Sequence, residues 1–157
     1  RDDVESRGLG DVYKRQGYDT LEPFLEYEGK GVYLLTVTSN PGSSDIERRE
    51  LSDGRKVYEL VGDMVRRSMQ EHRKTSVGMV VGLTNADSDI LARIPDAPLL
   101  IPGLGAQGGD LSSLSGSGHA APPLINVSRG IMYQNPELGF AEKAQTFAAR
   151  IREALGY

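Results

Sequence analysis

An α/β fold on a parallel sheet is predicted by three features of the sequence: four short strand-like runs buried on both faces, a helical stretch after each, and Gly- or Pro-rich breaks between them. Residues 1–16 (RDDVESRGLGDVYKRQ) come before this pattern. They mix charges of both signs without apolar periodicity and have little surface to bury. Asp11 to Gln16 also reads as translated sequencing adapter, so residues 1–16 are expected to be a non-native leader and residues 17–157 the C-terminal part of one domain whose upstream half is missing.

From Gly17 the pattern is regular. Asp19 is placed to cap a short helix carrying Leu21, Phe24 and Leu25 and ending near Gly29. Gly31 to Thr38 (GVYLLTVT) is a nearly continuous apolar and β-branched run between Gly and Asn-Pro-Gly, the signature of a strand inside a parallel sheet. After a polar turn at Ser52 to Gly54, the stripe Val57, Leu60, Val61, Met64, Val65 and Ser68 predicts an amphipathic helix to about His72. The alternation continues with strand Gly78 to Leu83, helix Asp87 to Ile94, strand Pro98 to Ile101, a short helix near Asp110 to Leu114, and strand Leu124 to Val127. The last helix carries the stripe Phe140, Ala144, Phe147, Ala148, Ile151 and Leu155, with Lys143, Arg150, Arg152 and Glu153 largely outside it. Four such units fit either an open doubly wound sheet or an arc of a (β/α)8 barrel, and periodicity does not separate the two. A complete eight-unit barrel needs about 250 residues, against 157 here.

Composition narrows the function. Lys and Arg number 18 against 22 Asp and Glu, a net charge of −4, which disfavours a nucleic-acid binder relying on a basic field. The chain has no Cys, and His72 and His119 lie far apart, so neither a disulfide nor a zinc site is expected. No apolar run reaches the roughly 18 residues of a membrane span and no signal-peptide layout opens the chain; a cytoplasmic location with no membrane partner fits.

In either architecture the chemistry belongs at the C-terminal strand ends. After the first predicted strand, Thr38-Ser39-Asn40-Pro41-Gly42-Ser43-Ser44 clusters hydroxyls and an amide able to bind a polar planar ligand; an ordinary turn is the alternative. After the third comes Pro102-Gly103-Leu104-Gly105-Ala106-Gln107-Gly108-Gly109-Asp110, and after the fourth Ser128-Arg129-Gly130. Glycines let backbone N–H groups approach an anion, Gln107 adds an amide donor, and Arg129 offers a planar fork for phosphate oxygens, so this pair points to phosphate. A structural ion pair is the alternative for Arg129. Gly103, Gly105 and Gly108 also satisfy G-x-G-x-x-G, but the next strand ends in Asn126-Val127-Ser128-Arg129 without the carboxylate a ribose needs, so no dinucleotide is expected. Gly82 marks a close approach at the second strand end and is assigned no chemistry. His72 and His119 read as structural or solvated, and no general acid/base carboxylate pair stands out by spacing.

Taken together, Thr38-Ser39-Asn40-Pro41-Gly42-Ser43, Val80-Val81-Gly82, the run Leu100 to Asp110, and Asn126-Val127-Ser128-Arg129-Gly130-Ile131 resemble the orotidine 5'-phosphate decarboxylase family in order and spacing, most closely its longer bacterial branch. The likeness covers Gly17 to Tyr157 and implies the C-terminal half of a (β/α)8 TIM barrel, about strands five to eight. It further implies cofactor-free decarboxylation of orotidine 5'-phosphate to uridine 5'-phosphate in pyrimidine synthesis, by a homodimer when complete. By the same likeness the substrate-binding residues are Ser39 at the pyrimidine, Gln107 spanning base and phosphate, Arg129 and Gly130 at the phosphate, and Pro102 against the ligand. The family's catalytic Asp-x-Lys-x-x-Asp set does not occur, so no catalytic residue is assigned and the chain by itself is expected to be inactive. Val127 stands where a second serine is common and Glu47 where glutamine is common. A half barrel leaves strand edges and an apolar interior uncovered, so self-association in isolation is expected. Another phosphate-binding barrel and a non-catalytic nucleotide-binding module remain as alternatives.

Overall fold

The computed structural model describes residues 11–12, 17–71, 73–83, 89–103, 114 and 119–156. Five strands form one sheet in sequence order, every neighbouring pair parallel: β1 (Asp11–Val12), β2 (Gly31–Val37), β3 (Ser76–Val81), β4 (Leu99–Pro102) and β5 (Leu124–Asn126). β2 to β5 are the four predicted strands, with ends shifted by one or two residues. β1 belongs to the segment expected to stand outside the fold. Its two residues pair with Tyr33 and Leu34, where the open edge of β2 offers unpaired backbone groups.

β3 is the centre of the sheet, and all its residues but Ser76 are buried. Its directness of packing depends on Gly78, which sits opposite Tyr33. A Cβ there would lie 2.5 Å from the Pro98 carbonyl oxygen and 2.6 Å from the Tyr33 ring.

Helix α1 (Val57–Gln70) packs on β2 and β3. Its buried line is Tyr58, Gly62, Val65 and Ser68, while Val57, Leu60, Val61 and Met64 are only half-buried. The predicted stripe is therefore rotated by about one position, because Gly62 lets the helix close on Ile94 and Pro95. The loop before α1 meets the helix's first amides: Val57 and Tyr58 N–H donate to the Arg49 and Glu47 carbonyls, and the Glu59 carboxylate accepts the Lys56 N–H.

The predicted first helix is instead two 3-10 turns, Tyr18–Thr20 and Glu22–Phe24. Pro23 has no N–H to give an α-helical bond, so the segment closes with tighter bonds, Leu21 to Tyr18 and Leu25 to Glu22. Leu21 and Leu25 are still fully buried. Of the helix expected over Asp87 to Ile94, residues 89–94 are described, and Ile90–Arg93 form helix α2 between Asp89 and Ile94 as its caps. Of the helix expected near Asp110 to Leu114, only Leu114 is described, and it joins the core.

Helix α3 (Arg129–Tyr133) was not expected from periodicity. Helix α4 (Phe140–Leu155) was, and it stops at Gly156, whose φ of 75° is left-handed. Its buried face matches the predicted stripe in part: Phe147 is buried as expected, but Phe140 and Ala144 are exposed and Lys143, expected outside the stripe, is buried. The Lys143 ammonium lies 5.5 Å from the Phe140 ring centre, so its stem is buried while its head stays near the exposed Phe140.

Candidate functional site

Because β2 to β5 are parallel neighbours, the segments after them share one end of the sheet. Ser39 follows β2, Gly82 follows β3, Pro102 ends β4, and Arg129 and Gly130 lie just past β5. Gln107 lies outside the described residues.

The β2 end is closely built. The Gly82 N–H donates to the Val37 carbonyl at 2.8 Å, and a Cβ on Gly82 would sit 2.5 Å from the Ser39 nitrogen and 3.0 Å from its Cβ. Gly82, to which the sequence assigned only a close approach, is thus the floor on which Ser39 rests. Beside it, the buried Glu47 carboxylate accepts both the Thr38 N–H (2.7 Å) and the Thr38 hydroxyl (2.8 Å). Arg48 donates through Nε to Ser43 Oγ at 2.8 Å and through Nη2 to the Thr38 carbonyl at 3.3 Å. Pro41–Asp45 forms a 3-10 turn between these partners, closed by the Ser43 N–H on the Asn40 carbonyl. The turn chemistry of this segment was legible; the Glu47 and Arg48 clasp was not, because it joins residues nine and ten positions from Thr38.

At the other side, Pro102 pairs with Asn126, and the Gly103 N–H donates to the Asn126 carbonyl at 3.2 Å. Gly103 has φ 86°, a turn that an L side chain resists. Ser128 Oγ donates to Asn126 Oδ1 at 3.2 Å, and the Ser128 carbonyl accepts the Ile131 and Met132 amides that start α3. Arg129 is exposed and makes no ion pair among the described residues. Gly130 is buried, and a Cβ there would lie 2.5 Å from Phe147 Cζ, so this glycine also lets α3 dock on α4.

His119 is structural. Its Nε2 lies 3.0 Å from the Leu91 carbonyl, and Asp96 beside it accepts the Ala120 and Ala121 amides, which hold its carboxyl below the usual range. His72 lies outside the described residues. At the opposite end of the strands, a cavity of about 370 Å³ is lined by Ser68, Met69, Arg73, Thr75, Ser76 and Val77. Arg73 there is committed to Glu22, Glu26 and Glu71, and Thr75 Oγ1 to the Phe24 and Tyr27 backbone. Among the described residues no helix is long and apolar enough to cross a membrane.

A family model described as "Orotidine 5'-phosphate decarboxylase / HUMPS family" matches residues 14–144. The orotidine 5'-phosphate decarboxylase of Roseiflexus sp. (strain RS-1) is 42% identical over 144 residues, covering 88% of this chain and 52% of that protein. The one from Dehalococcoides mccartyi (strain 195) is 41% identical over 151 residues, covering 90% and 54%. Among solved structures, Leishmania donovani OMP decarboxylase superposes with TM-score 0.71 at 31% identity, over 90% of this chain and 54% of that one. Leishmania donovani UMP synthase gives TM-score 0.65 at 35% identity, over 88% and 31%. The chain spans about half the length of the curated relatives it matches. The parallel sheet with its helices is accordingly half of the (β/α)8 barrel of these neighbours, and the chain belongs to the orotidine 5'-phosphate decarboxylase / HUMPS family.

Proposed function

We propose that this chain is the nucleotide-holding part of an orotidine 5'-phosphate decarboxylase, which as a whole converts orotidine 5'-phosphate to uridine 5'-phosphate and CO2. The observation that carries the reading is the exposed Arg129, without an ion pair among the described residues, just past the strand that pairs with Pro102 and at the same sheet end as the Ser39 loop, within a chain of this family. In this reading Arg129 grips the phosphate with its planar fork, Gly130 keeps α3 close, Pro102 packs against the ligand and Gln107 reaches from base to phosphate. Ser39 meets the pyrimidine. Phosphate binding far from the reacting carbon supplies energy that orders the site and lowers the barrier in the whole enzyme. The chain itself carries no Asp-x-Lys-x-x-Asp set, so in this reading it binds nucleotide without decarboxylating it. The whole protein is proposed to be a cytoplasmic homodimer needing no cofactor.

The test is titration of uridine 5'-phosphate and ribose 5-phosphate into the chain, followed by amide NMR shifts. Uridine 5'-phosphate is expected to bind more tightly, and Arg129→Ala to weaken both ligands by roughly 10- to 100-fold, the value of a charge-assisted bond. Equal affinities would favour a phosphate-binding barrel that does not read the base. An unchanged affinity in Arg129→Ala would refute the phosphate assignment.

A further inference from the structure

We infer that Glu47 is a positioning residue for base recognition, holding the Ser39 loop in its ligand-reading shape without touching ligand. The inference rests on the nucleotide-binding reading of Ser39 above. Three observations carry it.

First, one carboxylate oxygen of Glu47 takes both donors of Thr38, the residue that joins β2 to Ser39. Two bonds of 2.7 and 2.8 Å from a single residue fix both its backbone amide and its χ1 rotamer, and so the direction in which the chain leaves the strand. Second, Glu47 is 5% exposed and is itself pinned, since its carbonyl accepts the Tyr58 N–H at 2.9 Å in the first turn of α1. The clasp therefore ties the loop to a helix packed on the sheet. Third, the loop has no slack on the other side: Gly82 is already in contact with the Ser39 backbone, and Arg48 holds the Thr38 carbonyl. Losing the carboxylate would leave the Thr38 amide without this acceptor, and the close approach of Gly82 blocks the loop from settling inward.

A residue that acts in this way should matter for the base and not for the phosphate, which in the proposed reading is gripped three strands away, past β5. The experiment compares uridine 5'-phosphate with ribose 5-phosphate on wild-type chain, Glu47→Ala, Glu47→Gln and Thr38→Val, with amide hydrogen exchange read at Thr38 and Ser39. Glu47→Ala is expected to lower the preference for uridine 5'-phosphate about 3- to 10-fold, leave ribose 5-phosphate affinity unchanged, and speed exchange at Thr38. Glu47→Gln retains an oxygen that can accept from Thr38 and should restore both readouts. Thr38→Val, which removes only the hydroxyl bond, should show the same loss in smaller measure and guards against a failure of Glu47→Ala to fold. The inference is overturned if Glu47→Ala or Thr38→Val keeps the full preference. If wild-type chain shows no preference between the ligands, the base reading of Ser39 fails instead; unchanged Thr38 exchange in Glu47→Ala would then overturn the clasp on its own.

Discussion

Replacing Gly78 with Ala adds one methyl group at the most crowded point of the sheet. Its carbon would lie 2.5 Å from the Pro98 carbonyl oxygen and 2.6 and 2.7 Å from two carbons of the Tyr33 ring. A comfortable C···O approach is about 3.3 Å, so roughly 0.8 Å must be found. The Tyr33 ring can swing, but the Pro98 carbonyl is backbone and accepts the Met79 N–H at 2.8 Å, so moving it weakens the β3–β4 pairing. Overpacking of this kind costs about 1 to 3 kcal/mol, and the backbone obstruction puts this site at the upper end. Alanine recovers about 0.5 to 1 kcal/mol of the conformational entropy that glycine loses in a strand. The net loss is about 2 kcal/mol, or roughly 4 to 8 °C in Tm for a chain of this size. Thermal unfolding followed by far-UV circular dichroism measures it. Adding Tyr33→Ala should fail to restore the loss, because the Pro98 oxygen remains. A Tm within 1 °C of wild type for Gly78→Ala would show that β3 and β4 are not packed as described.

Acid should act through Glu71, which the Arg67, Arg73 and Tyr18 donors hold down to about 2, against an ordinary 4.5. A depressed carboxylate stabilises fully above about pH 4.5 and loses that contribution as pH falls toward 2. The Tm gap between wild type and Glu71→Gln should thus be constant above pH 5 and shrink steadily between pH 4.5 and 2; an undiminished gap at pH 2.5 would refute the assignment. Gly139 precedes α4 in extended backbone with no side-chain cap and open space where a Cβ would stand. Gly139→Asp should cap the helix and face its dipole, adding about 0.5 kcal/mol and roughly 1 to 2 °C in Tm, with no gain for Gly139→Ala.

The strands were legible because a strand buried on both faces must be apolar along its whole length, as Val77 to Val81 is. Helix faces were less so. In α1 and α4 apolar residues occupy more than one side, and which side is buried depends on what the helix meets: Gly62 against Ile94 and Pro95, Gly130 against Phe147. The stretch from Tyr18 to Phe24 carried helical spacing, yet Pro23 made it two tight turns.

The site divides in the same way. Glycine, serine and arginine at the strand ends announce themselves in sequence, because each type stands out beside an apolar run. The place of Arg129 just past a strand and the turn at Gly103 were therefore readable, and so was the family. That Gly82 forms the floor of Ser39, and that Glu47 reaches back to Thr38, depends on neighbouring strands and a loop returning to its own start. The sequence by itself determined the parallel α/β class, the places of its strands along the chain and the chemical kinds that follow them, because backbone periodicity and residue chemistry are local. Only the tertiary structure decided which helix faces are buried and which residues hold the site in shape, because those depend on contacts between segments that share no local pattern.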